Sequence, residues 1–154
     1  MKMLTIALGL LPLLLAPAPT PDASPVMDEG AETLTLEVRV KGVKSSSGKV
    51  YCALYASSSG FPSKARRAYQ TTETKAANGT VTCTFAELGP GIYAVSTYHD
   101  ENGNGKMDSS AIGIPREPWG VSRDAKPGMA SPPKFSAARF KLTEDRTIKI
   151  NLRD

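Results

Sequence analysis

The chain has 154 residues, 40% of them apolar and 6% aromatic, with 19 Lys and Arg against 15 Asp and Glu. That length fits one domain with its own core, and a 22% charged fraction at a net charge of +4 excludes a wholly disordered chain. The 12 prolines and 13 glycines favour turns and short strands over a helix bundle, and no Lys/Arg block marks a nucleic-acid surface.

The first segment reads as an address. Lys2 precedes an apolar run from Met3 to Ala16, the length of a signal-peptide core and short for a bilayer span. Ala16-Pro17-Ala18 has the spacing of a cleavage site, but Pro19 opposes cleavage there and moves the expected site towards Ala23. No Cys follows the run to take a lipid. Pro17 to Gly30 is Pro- and Ala-rich and acidic, and the expected organisation is a signal peptide over 1–23, a flexible lead-in over 24–32, and one domain over 33–154. An uncleaved anchor is the alternative, and both place the domain outside the cytoplasm, in the periplasm or beyond it.

Strand signals follow in order. Thr33 to Lys41 alternates apolar and polar residues throughout, the pattern of a half-buried strand. After the turn Ser45-Ser46-Ser47-Gly48, Lys49 to Ala56 returns. Pro62 to Tyr69 has room for one helical turn. Ala77-Asn78-Gly79 is a turn, and Thr80 to Ala86 the next strand. Beyond Leu88-Gly89-Pro90-Gly91, Ile92 to His99 is apolar on both faces and therefore central. Ser136 to Leu142 and Thr147 to Leu152 read as a hairpin around Glu144-Asp145-Arg146. Six short strands with little helical period predict an all-β, antiparallel two-sheet sandwich of the immunoglobulin or transthyretin-like kind, with a small β-barrel as the alternative.

Cys52 and Cys83 are the only cysteines. Cys52 shares a strand face with Val50 and Leu54, and Cys83 with Val81 and Phe85, so both sulfurs point into the core. An oxidising compartment makes a disulfide between them the expectation, worth about 3–4 kcal/mol by loop entropy. Two buried free thiols are the alternative.

The densest chemistry lies in His99-Asp100-Glu101-Asn102-Gly103-Asn104-Gly105-Lys106-Met107-Asp108. Against the calcium-loop pattern D-x-[DN]-x-[DN]-G, Asp100, Asn102 and Asn104 fall on ligand positions one, three and five, Gly105 on the sharp turn, and Asp108 on position nine. Position twelve is Ala111 rather than a bidentate Glu, so the loop is not an EF-hand. Two readings stand open: a weak Ca2+ site, or an Asx-rich turn closed by its own backbone. No strand is evident in the long loop from Ser109 to Lys134, which holds the single tryptophan, Trp119, with Arg116, Arg123 and Lys126 near it. Trp119 either fastens this loop to the sandwich or, with Arg116 and Arg123, anchors a partner.

The block Tyr98 to Asp108, then Gly113-Ile114-Pro115-x-Glu117-Pro118-Trp119-Gly120, then Pro132-Pro133-Lys134-Phe135, resembles a family of secreted bacterial proteins known as domain of unknown function 2141. Phe61-Pro62 and Leu88-Gly89-Pro90-Gly91-x-Tyr93-Ala94-Val95 are similar to it as well, and the resemblance spans roughly 34 to 152. It implies a location and a fold, not an activity. The Pro-Gly-x-Tyr-x-Val strand start with a D-x-N-x-N-G loop also resembles the prealbumin-like modules of bacterial surface proteins, where such loops often hold calcium. The absence of an acid at Ala111 departs from them.

The function expected is therefore an exported, non-enzymatic β-sandwich module that binds a protein or glycan at the cell envelope. The alternative is a secreted hydrolase using His99 beside Asp100, or a carboxylate pair of Asp108 with Glu101 or Glu117. No G-x-S-x-G elbow accompanies His99.

Overall fold

A computed structural model of the chain describes residues 33–154. The expected signal peptide and the lead-in lie outside the described residues. Eight strands form two packed sheets: β1 (Leu34–Val43), β2 (Lys49–Tyr55), β3 (Gln70–Lys75), β4 (Gly79–Leu88), β5 (Gly91–Asp100), β6 (Trp119–Val121), β7 (Phe140–Leu142) and β8 (Arg146–Asn151). One sheet has the order β4-β1-β8. The other runs β3-β2-β5-β6, with β7 also on β5. The sheets do not close into a barrel. One pairing is parallel, that of β1 with β8; the others are antiparallel.

The alternation in β1 does what its period dictates. Leu34, Leu36, Val38 and Val40 are buried and meet Val50, Cys52 and Leu54 of β2 and Val95 of β5 in one core. Phe85, Leu88, Leu142 and Ile150 complete it. Cys52 in β2 and Cys83 in β4 are joined as a disulfide (Cα–Cα 6.5 Å), so the bridge staples one sheet to the other.

Four local expectations change. Gln70–Lys75 is a strand although every residue in it is polar. It is an edge strand, and Thr72 and Thr74 half-bury while their neighbours face water. Residues Trp119–Val121, within the stretch expected to lack strands, pair with Ser96 to Tyr98 of β5. Ser136 to Ala138 is not strand: Phe135–Ala138 is a single helical turn, α1, because Phe135 and Ala138, three apart, both turn inward. Finally β7 and β8 form no hairpin. β7 pairs with β5 and β8 with β1, in different sheets, and the connection between them is tied to β1 by the Thr35 N–H donating to Asp145 Oδ1 (2.8 Å).

A second, smaller apolar cluster covers part of the outer face of the larger sheet. Ala94 and Val121 are buried under Ala125 and Ala138, with Phe61, Phe135 and Trp119 packed against them. Phe61 stands edge-on to both Tyr55 (5.3 Å, 89°) and Phe135 (5.8 Å, 82°). The Ser122 hydroxyl, fully buried, donates to the Ala138 carbonyl (2.7 Å) and accepts the Val95 N–H (2.9 Å), which locks the insertion to the middle of β5.

Candidate functional site

The acidic loop begins where β5 ends. Asp100 is fully buried, and its carboxylate is filled by the loop it introduces: Oδ1 accepts the N–H of Gly103 (2.8 Å) and Asn104 (3.1 Å), and Oδ2 that of Gly105 (2.7 Å). Gly103 and Gly105 sit at φ 73° and 77°, in the left-handed region that lets those amides turn inward. Asn102 Oδ1 accepts the Asn104 N–H, and Asn104 Oδ1 the Lys106 N–H, each an Asx turn.

The tips of Asn102, Asn104 and Asp108 converge. Asn102 Nδ2 donates to Asp108 Oδ2 (2.6 Å), and Asn104 Nδ2 reaches both Asp108 oxygens (3.0 Å each). These amide donors, Asn104 first, hold the Asp108 carboxyl below the usual aspartate range. The four positions singled out in the sequence are thus one structure with two layers. Asp100 shapes the loop from beneath, and Asn102, Asn104 and Asp108 meet above it.

A carboxylate further on in the chain closes the loop. Glu117, buried, reaches back so that Oε1 accepts the N–H of Glu101 (3.2 Å) and Oε2 that of Asp108 (3.0 Å). One carboxylate thus clamps both ends of the loop. Burial, ahead of any other cause, pushes its carboxyl up from the usual glutamate range, and Asp100 and Asp108 add to that push. Between loop and clamp lies a cleft of about 440 Å³ lined by Glu101, Asn102, Asp108, Ser109, Arg116 and Glu117. Arg116 is exposed on its rim, and its backbone N–H donates to the Asp108 carbonyl (2.8 Å). Spacing does not reveal this role for Glu117, which stands outside the repeat of alternate oxygens.

His99 is also fully buried. Its Nε2 lies 2.8 Å from the Ser47 carbonyl, and Nδ1 has no hydrogen-bond partner, with Glu101 Oε1 at 3.7 Å. The ring therefore contacts the main chain of Ser47 rather than its hydroxyl. Among the described residues no three His, Cys, Asp or Glu side chains gather as a metal site. Any ligand set in this loop is half amide.

Trp119 belongs to a row that crosses the outer face of the larger sheet. Arg153 bridges to Trp119, Trp119 pairs with Tyr98, Tyr98 with Tyr51, and Tyr51 with Glu73. The Arg153 guanidinium lies over the indole (5.0 Å), and the two tyrosine rings stack (5.2 Å, 13°). Burial, then the nearby Asp100, pushes the Tyr98 phenol up to about 12. Trp119 is half-buried in this row, next to the clamp. Arg123 lies elsewhere, in the left-handed region (φ 61°), with its guanidinium on the Arg139 carbonyl (3.3 Å).

Comparison with known proteins gives one positive finding. The model of a family described as an uncharacterized protein conserved in bacteria matches residues 38–150, nearly all of the described domain. Comparisons with curated proteins and with solved structures give no match.

Proposed function

The chain belongs to the DUF2141 family, and from that membership and the geometry of its acidic loop we propose an exported, non-enzymatic β-sandwich module that works at the cell envelope and carries a weak calcium site. The disulfide between Cys52 and Cys83 supports an oxidising compartment, and among the described residues no helix is long and apolar enough to cross a membrane. The observation that carries the calcium reading is the convergence of Asn102, Asn104 and Asp108 on one point above a loop shaped by Asp100 and clamped by Glu117.

The fit has a condition. Amide NH2 groups, not oxygens, face Asp108. A cation takes the place of those positive dipoles only if Asn102 and Asn104 turn their side-chain amides over, which breaks the Asx turns to Asn104 and Lys106. The expected affinity is therefore low, about 10⁻⁴–10⁻³ M, the range of extracellular calcium modules. Asp108, with Glu101 and Glu117 beside it, supplies the charge, and the ion would order the loop rather than react.

A second reading rests on one observation. Glu117 is raised and Asp108 lowered within a single cleft, the split that acid and base carboxylates of a hydrolase show. It ranks second because both Glu117 oxygens already accept main-chain amides.

Trp119, the chain's single tryptophan, lies two residues from the clamp and reports on it. Calcium titrated into EDTA-stripped protein should shift its emission saturably in the millimolar range, and magnesium should not. Fractionation of expressing cells should recover the chain outside the cytoplasm with an N-terminus near residue 24. Recovery in the cytoplasm with residues 1–23 attached would overturn the export reading.

A further inference from the structure

Seven of the domain's positive charges lie on two neighbouring segments that hold almost no acid. Two segments cover the outer face of the larger sheet, 57–69 and 122–139, and Phe61 of the first packs on Phe135 of the second. The first carries Lys64, Arg66 and Arg67, all exposed. Lys64 and Arg67 stand side by side, since a Cβ on Gly60 would fall within 3.0 Å of both their Cβ atoms. Exposed on the second are Arg123, Lys126, Lys134 and Arg139. Against these seven cations the two segments hold one carboxylate, Asp124, which accepts the N–H (2.9 Å) and Nδ2 (2.5 Å) of Asn151. Among the described residues none of the seven cations has a carboxylate within ion-pair distance.

The cover also has an apolar tip. Gly128 and Ser131 bridge across a tight turn, and Met129 in that turn is fully exposed, with Lys126 three residues before it. Both segments are rooted away from the acidic loop: Tyr55 pairs with Ala94, and Ser122 holds Val95. That is about 20 Å along β5 from Asp100 at the strand rise. The seven cations and the exposed Met129 thus belong to one cover over the outer face of the larger sheet.

We propose that this basic cover docks on an anionic lipid surface, with Met129 entering the headgroup region. Clustered cations are attracted to anionic headgroups, and an exposed apolar side chain among them adds the burial that a dissolved polyanion cannot offer. The inference names a partner for the envelope module and rests on that reading, but vesicle binding can fail while export and calcium binding hold, and the reverse.

The test uses the oxidised chain from residue 24, which keeps every described element. It is sedimented in EDTA with vesicles of phosphatidylcholine alone or with 30% phosphatidylglycerol added. Binding is expected on the anionic vesicles only, and half-molar salt should release it. Replacing Lys64, Arg66 and Lys126 together by Gln should weaken it by roughly a hundredfold, at about fivefold per cation. The same change at Lys41, Lys75 and Lys149 should leave binding nearly intact. Met129→Ser should weaken vesicle binding but not capture by polyphosphate beads. Thermal midpoints verify that each variant folds. No binding to anionic vesicles, equal losses in the two triple variants, or a Met129→Ser protein that binds vesicles and beads as before would each overturn the proposal.

Discussion

Gly48 lies so close to Asp100 that a Cβ on it would fall 1.8 Å from the Asp100 carbonyl oxygen. The turn between β1 and β2 thus supports the root of the acidic loop, and the neighbouring Ser47 carbonyl contacts His99 there as well. Gly48 also has φ 71°, which an L side chain adopts at a cost. Gly48→Ala combines strain with a backbone clash, and a loss of about 2–4 kcal/mol is expected in chemical denaturation. A loss under ~0.5 kcal/mol would mean that the turn does not support the loop.

Glu117→Gln tests the clamp. Glutamine keeps the shape but offers one acceptor oxygen, so one of the Glu101 and Asp108 amides faces an NH2 group. The expected cost is about 1–3 kcal/mol, the penalty of an unmet buried donor. Hydrogen exchange should quicken at residues 101 and 108 while the β1 amides stay protected. Uniform loss of protection across both sheets would place Glu117 in global folding instead.

The two cleft carboxyls should shift in opposite directions. In EDTA, carboxyl-carbon NMR is expected to show Glu117 above its ordinary 4.5 and Asp108 below its ordinary 3.8. The signs for stability are opposite. Asp108 stabilises above pH 3.8, and that contribution is lost as pH falls through its lower folded value. The Glu117 shift stabilises below pH 4.5 and is lost as pH rises through its raised folded value. Glu117 titrating below 4.5 or Asp108 above 3.8 would contradict the arrangement of the cleft.

At the alkaline end Tyr98 governs. Its phenol is raised from 10 to about 12, so the contribution is full below pH 10 and is lost as pH rises towards 12. Tyr98→Phe should flatten that fall in midpoint temperature. Ultraviolet difference titration should show one fewer late-ionising tyrosine.

The sheet-to-sheet disulfide should matter throughout. Cys52→Ala with Cys83→Ala is expected to cost about 3–4 kcal/mol from the 31-residue separation it closes. A melt unchanged by reduction would contradict it.

Much of this fold was legible because β1, β2, β4 and β5 alternate or run apolar as their burial demands, and because both cysteines lie on inward faces. Polar β3 was hidden because an edge strand needs little burial, and three-residue β6 because its partners, β5 and Arg153, are distant in sequence. Two short strands flanking Glu144-Asp145-Arg146 look like a hairpin, and only their pairing, β7 on β5 and β8 on β1, shows that they serve different sheets. At the site, alternate oxygens from Asp100 to Asp108 were readable. Glu117 was not readable as the clamp, since its reach depends on how residues 109–116 fold back.

The most direct test of the account is the thermal melt of the oxidised chain from residue 24 in EDTA, then in 10 mM calcium or magnesium. A site of 10⁻⁴–10⁻³ M adds about 1.4–2.7 kcal/mol at that concentration, a rise of several degrees. The account predicts that rise with calcium alone, and its loss in Asp108→Ala. An identical midpoint in calcium and EDTA would contradict the calcium site and leave the loop as a turn closed by Asp100 and Glu117.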